Sequence, residues 1–127
     1  MNWRWIDQRL LVLLHDESLA MHGGASGLRD PGLLESALSR PLDQALCGQP
    51  DVAALAVSYA SGLAHNDPFV DGNKRTALLS MGLFLGLNGC RLTASQAEAT
   101  VAMWGLACGD VDEAIFAAWL RERIASR

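Results

Sequence analysis

Cysteine is scarce and scattered in this 127-residue chain. Cys47, Cys90 and Cys108 are odd in number, far apart and without a Cys-x-x-Cys pair, so neither a disulfide framework nor a zinc site is expected. None has a histidine nearby in sequence to activate it, which sets aside a nucleophilic thiol, and all three are expected to be reduced and partly buried. A cationic surplus is lacking too: ten Lys and Arg against fourteen Asp and Glu give a net charge of -4, leaving no broad basic surface for nucleic acid. Apolar runs are broken by polar residues or glycine before the ~18 residues a membrane span needs, and Met1-Asn-Trp-Arg-Trp-Ile lacks the apolar core of a signal peptide. No membrane partner is expected, and the cytoplasm is the expected location. The four tryptophans, Trp3, Trp5, Trp104 and Trp119, show no base-stacking pattern and are expected to fill the core or cover helix ends.

Half of the residues are nevertheless hydrophobic, enough for one core and too few for two, so residues 1–127 read as one domain. Ile6, Leu10, Leu13, Leu14 and Leu19 recur at helical intervals and predict an amphipathic helix near 6–21, stopped by Gly23-Gly24. Asp30-Pro31 supplies an N-cap and an N1 proline for a short helix expected to end before Pro41. Asp51 opens a third, with Val52, Leu55, Tyr59 and Leu63 on one side and small residues on the others, which implies close packing. The segment after Gly72 is apolar on almost every face as far as Leu87, as suits the centre of a bundle, and Asn88-Gly89 ends it. Helices near 95–108 and from about Asp110 to the C-terminus complete the pattern. No strand signal of useful length is present, so the expectation is an all-α, compact single-domain helical bundle.

The chemistry concentrates in Asp67-Pro-Phe-Val-Asp-Gly-Asn-Lys-Arg-Thr76. Gly72-Asn73 opens a helix whose first amides have no internal partner and carry the positive end of the dipole, which attracts phosphate. Glycine lets the backbone of Gly72 and Asn73 approach closely, although it would also serve merely to turn the chain into the helix. Lys74 and Arg75 lie on the first turn, where the dipole disfavours cations, and an arriving anion would relieve that conflict. Asp71 is the expected magnesium ligand beside phosphate oxygens, its other reading being a carboxylate that offsets the dipole. Pro68 and Phe69 are expected to pin the loop, and Thr76 to cap or line the helix. His15 and His22, with Asp16 and Glu17, are not read as a metal cluster: seven residues of helix set the two histidines about 10 Å apart, as surface or packing residues.

These residues resemble the signature of the Fic/Doc family, roughly His-Pro-Phe-x-Asp-Gly-Asn-Gly-Arg in adenylylating members. Lys74 in place of the second glycine is similar to the death-on-curing (Doc) branch, toxins of bacterial toxin-antitoxin pairs. The likeness runs from His15-Asp16 through Gly23-Gly24 and Asp30-Pro31-Gly32 to Leu87-Asn88-Gly89. It implies the Fic/Doc fold, with ATP and Mg2+ as cofactors, transfer of the terminal phosphate to a threonine of elongation factor Tu, and a Phd-like antitoxin covering a groove near the motif. It also implies that Gly23, Gly24, Ala25, Ser26 and Gly27 form a flap that registers the target by main-chain pairing, and that Lys74 and Arg75 act in catalysis. The chain departs from the pattern at Asp67, where the family carries its catalytic histidine; His65 lies outside the register. Aspartate is a weaker base than histidine at neutral pH, so impaired activity is expected. An engineered inactivating change, a natural pseudoenzyme and a natural aspartate-based variant are the three explanations. AMP transfer and a binding module without turnover are the rival functions.

Overall fold

Helix α3, Val52–Asn66, is the axis of the protein, and from Ala53 to Ala64 only Ala54 escapes full burial. The computed structural model describes residues 2–127. Around α3 stand α1 (Gln8–His22), α2 (Pro31–Cys47), α4 (Asn73–Leu87), α5 (Gln96–Cys108) and α6 (Glu113–Arg121). The axis packs most closely on α4 and α2, and next on α6. Small residues make this possible: a Cβ added at Gly62 would lie 3.1 Å from the Cα of Ala37, so α2 and α3 touch backbone to backbone there.

The all-helical expectation holds for the architecture, with several corrections. α4 is not the centre. Thr76, Ala77, Ser80, Met81, Phe84 and Leu85 are buried on one face, while Leu79 is exposed and Leu78 and Leu83 are half-buried. The centre belongs to α3, whose alanines and serines let neighbours close in on all sides. α2 does not stop before Pro41; it runs on to Cys47, with Pro41 buried. A proline inside a helix costs roughly 3 kcal/mol, and the contact of α2 along α3 outweighs it. The last helix starts later than Asp110, capped by Asp112, and gives way to a strand, β2 (Ile124–Ser126). This strand pairs antiparallel with β1 (Cys90–Leu92), Arg91 opposite Ala125. Three residues per strand are too few to leave a periodic signal, which is why the sequence concealed them. Cys47 and Cys108 are exposed, against the expectation of partial burial, and Cys90 is half-buried.

The N-terminal segment is tied across the bundle by Tyr59. Its hydroxyl accepts from the Ile6 N–H at 3.0 Å, while Trp3 and Trp5 pack against Phe84. Burial pushes the Tyr59 phenol up to about 12, opposed in part by the Ile6 hydrogen bond. Because the folded state favours the neutral phenol, its contribution is complete below the unfolded value near 10 and is lost as the pH rises towards 12. Stability is expected to fall by about 1.4 kcal/mol per pH unit across that interval. Tyr59→Phe should remove this slope and cost roughly 1–3 kcal/mol at neutral pH, because it strands the Ile6 N–H. Urea titrations of both proteins at neutral and alkaline pH test this, and parallel slopes would contradict it.

Candidate active site

Five helices begin beneath a side-chain cap: Asp7, Asp30, Asp51, Ser95 and Asp112 each accept a first-turn backbone N–H. Among the described residues, α4 alone has no such cap. It starts from Gly72 in the left-handed conformation (φ 77°, ψ 17°), with no side chain bonded to its first turn. The Gly72 N–H itself is engaged by Asp71 Oδ1 at 2.9 Å. The amides that remain open are those of Asn73, Lys74 and Arg75. Substituents at Gly72 are restricted both by its positive φ and by Leu19, whose Cδ2 would lie 3.3 Å from an added Cβ.

The loop leading to this helix end is held rigidly. Asn73 turns its carboxamide back to Phe69, accepting from the Phe69 N–H at 3.0 Å and donating to its carbonyl at 2.9 Å. The side chain is thereby spent on the loop, and only its backbone amide faces outward. Phe69 is buried, as expected for a residue that pins the loop, and its ring lies flat on the His15 imidazole, with centroids 3.7 Å apart and planes within 8°. His15 Nε2–H donates to the Asp71 carbonyl at 2.8 Å, since a carbonyl can only accept. His15 is thus a packing residue, as read, but one that fixes the carboxylate-bearing loop from below. That role had no local signal, because its partners lie more than fifty residues away.

Asp67 forms the left-handed C-cap of α3 (φ 47°, ψ 55°), the sole non-glycine residue with positive φ among those described. Asp, Asn and His are the side chains that tolerate this conformation best, so histidine fits the same backbone. Arg29, which sequence reasoning missed, clamps this cap: its Nε donates to the Asp67 carbonyl at 2.8 Å and its Nη2 to that of Asn66 at 2.9 Å. His65 is bound elsewhere, with Nε2–H donating to Leu106 O at 3.0 Å and Nδ1 accepting from Ser61 Oγ at 3.1 Å. It is a tie between α3 and α5.

Gly23–Gly27 is exposed, and it is docked on the motif. Leu28 forms an antiparallel bridge with Phe69. Val70 N–H donates to Gly27 O at 3.0 Å, and Arg29 N–H to Pro68 O at 2.7 Å. Ala25 N–H reaches Asp71 Oδ2 at 3.2 Å. Gly24 must be glycine in this arrangement, because with φ 125° a Cβ would come within 2.9 Å of that same oxygen. Ser26 makes no side-chain hydrogen bond among the described residues.

A cleft of about 360 Å³ opens where these parts meet, lined by Asp67, Asp71, Gly72, Asn73, Lys74 and Arg75 together with His22, Gly23 and Trp104. Among the described residues Lys74 and Arg75 form no ion pair. Lys74 Nζ instead sits 5.1 Å from the centroid of the Trp104 ring. Trp104 is 58% exposed, so it does not fill the core; its ring lies beside the first turn of α4 instead. No group of three His, Cys, Asp or Glu able to hold a metal occurs among the described residues. Two exposed carboxylates lining one cleft, Asp71 and Asp67, suit a hard cation that keeps water and takes its remaining ligands from phosphate. They do not suit a metal held by protein donors alone.

The fold and cleft define a helical protein built to present an uncapped, cation-flanked helix N-terminus beside carboxylates. The Fic/DOC family model matches residues 5–85, which span the motif, the flap and α1 through most of α4. The chain belongs to the Fic/Doc family. Its relatives place it in the Doc branch: it is 32% identical over 124 residues to the Protein kinase doc of Escherichia phage P1, covering 97% of this chain and 98% of that one. It is also 39% identical over 74 residues to the Toxin Doc of Mycolicibacterium smegmatis, covering 57% of each.

The flap contacts make Gly24→Val a sharp probe. Amide exchange at Ala25 and Val70 should accelerate by about tenfold, the loss of one hydrogen bond's free energy, while exchange in α3 stays unchanged. An unaltered rate at Ala25 would mean that Gly24 does not seat the flap on Asp71.

Proposed function

We propose that this chain is a Doc-like toxin of a type II toxin-antitoxin pair, a transferase that moves the γ-phosphoryl group of ATP to a threonine hydroxyl of a translation factor, elongation factor Tu. The open N-terminus of α4, with Lys74 and Arg75 beside it and no side-chain cap, carries this reading. It is supported by relatives named as a protein kinase and as a toxin.

In this reading the amides of Asn73, Lys74 and Arg75 receive the transferring phosphate, and the two cations neutralise its oxygens. Asp71 would hold magnesium, and the ion would supply charge neutralisation when bound. The flap from Gly23 to Gly27 offers its free edge to the target segment, because Gly27 is already paired with Val70 and the residues that follow it, Leu28 and Arg29, with Phe69 and Pro68. The bond from the γ-phosphorus to the β–γ bridging oxygen breaks, the bond to the threonine oxygen forms, the threonine proton passes to the side chain at position 67, and ADP leaves. Asp67 is a weaker base there than histidine and adds a second carboxylate to a cleft that must accept polyphosphate, so transfer is slow in the protein as it stands. Lys74, where adenylylating members have glycine, favours phosphate over AMP as the group transferred. Growth arrest in the cytoplasm follows, with a Phd-like antitoxin as the neutralising partner.

The extra carboxylate also favours a second reading, a pseudoenzyme that holds nucleotide or antitoxin without turnover. Asp67→His separates the two, since the backbone at this position accepts histidine. Incubated with γ-labelled ATP, magnesium and elongation factor Tu, the histidine variant should label the target at least about 100-fold faster than the parent, the usual contribution of a general base. Target mass should rise by one phosphate. Equal rates would overturn the impairment, an AMP adduct would overturn the phosphoryl assignment, and no transfer with tight nucleotide binding would support the pseudoenzyme.

A further inference from the structure

Lys74 occupies an electrostatically adverse position. It is the second residue of α4, where the helix dipole repels a cation, and no carboxylate pairs with it among the described residues. A lysine in that situation would ordinarily extend into water, where its stem samples many rotamers. Here its ammonium lies over the face of Trp104 instead, 5.1 Å from the ring centroid. Trp104 is more than half exposed and its indole makes no side-chain hydrogen bond among the described residues, so burial does not explain its place. Its backbone is nevertheless well anchored. Its neighbours Met103 and Leu106 are buried, the Leu106 carbonyl accepts from His65 on α3, and a capping box of Ser95 and Glu98 starts the helix.

We propose that Trp104 is the positioning residue for Lys74: its ring quadrupole offsets the dipole's repulsion and holds the ammonium across the cleft, aimed at the anion that the open amides of α4 receive. The inference deepens the nucleotide reading and rests on it. Trp104 lines the cleft together with Asp71 and Arg75, so the ring fixes one wall of the site while α4 supplies another. Lysine carries a compact, flexible charge that needs such a guide, whereas Arg75 brings a planar fork with its own directionality. Because only the ring face is required, phenylalanine can replace tryptophan in part and leucine cannot.

The contact can be read without any ligand. The Lys74 methylene resonances next to the ammonium should be shifted upfield by the indole ring in the parent, less so in Trp104→Phe, and not at all in Trp104→Leu. Absence of that shift in the parent would overturn the inference. Calorimetric titration with ATP and magnesium should then show affinity about threefold to tenfold weaker for Trp104→Leu and within about twofold for Trp104→Phe. In a Lys74→Ala background, Trp104→Leu should cost nothing further. An equal cost with and without Lys74 would overturn the inference, because Trp104 would then act on the ligand directly. Binding of inorganic triphosphate but not ATP would sink the nucleotide reading, while the same Phe and Leu pattern with triphosphate would sustain the positioning role. Failure of the parent to bind either would overturn both.

Discussion

Phe69 is gripped from three directions. Its ring is stacked on the buried His15 imidazole, its N–H and carbonyl are both taken by the Asn73 carboxamide, and its strand-like backbone is bridged to Leu28. The rest of the site depends on that grip. With both main-chain groups of Phe69 satisfied by the first residue of α4, the chain between them must close a tight turn, and Gly72 in the left-handed region closes it. Any side chain that capped α4 would have to come from that same turn, and none is placed to do so. The helix end is therefore left open by construction.

The same turn sets the direction of the carboxylate. Asp71 is held by three contacts at once: its carbonyl by His15, one carboxylate oxygen by the Gly72 amide, the other by Ala25 of the flap. A flap residue thus senses the carboxylate that faces the cleft. Arg29 makes the complementary tie, joining the end of the flap to the last carbonyls of α3 beside Asp67. Flap, Asp67 and helix N-terminus are consequently one mechanical unit, although the ties from the first to the other two span 37 to 46 residues. Long-range hydrogen bonds of this kind are the means by which a small helical domain positions groups that no single element could carry.

The electrostatic balance of the cleft is uneven. Lys74 and Arg75 face open amides, Asp71 faces the flap, and Asp67 brings a second negative charge to a place where a histidine would be neutral or positive. Lys74 adapts by resting on an aromatic face. An anion at the helix end would relieve the first of these conflicts, since without one the cations sit against the dipole.

By itself the sequence determined the helical content, the cap at Asp30, the helix starts at Asp51 and near Ser95, and the motif that opens α4, because periodicity, capping and glycine chemistry act over a few residues. The resemblance carried by those same residues identified the family. It did not reveal that α2 would pass through Pro41, that α3 and not α4 would be the axis, or that two three-residue strands would pair at the far end. Those outcomes were settled by packing between distant elements, which outweighs local propensity and leaves no periodic trace. The same holds within the site. Gly72 and Lys74 were legible, whereas His15 beneath the loop, Arg29 on the cap of α3 and Trp104 under Lys74 were chosen by tertiary approach, because each acts through a partner at least thirty residues away.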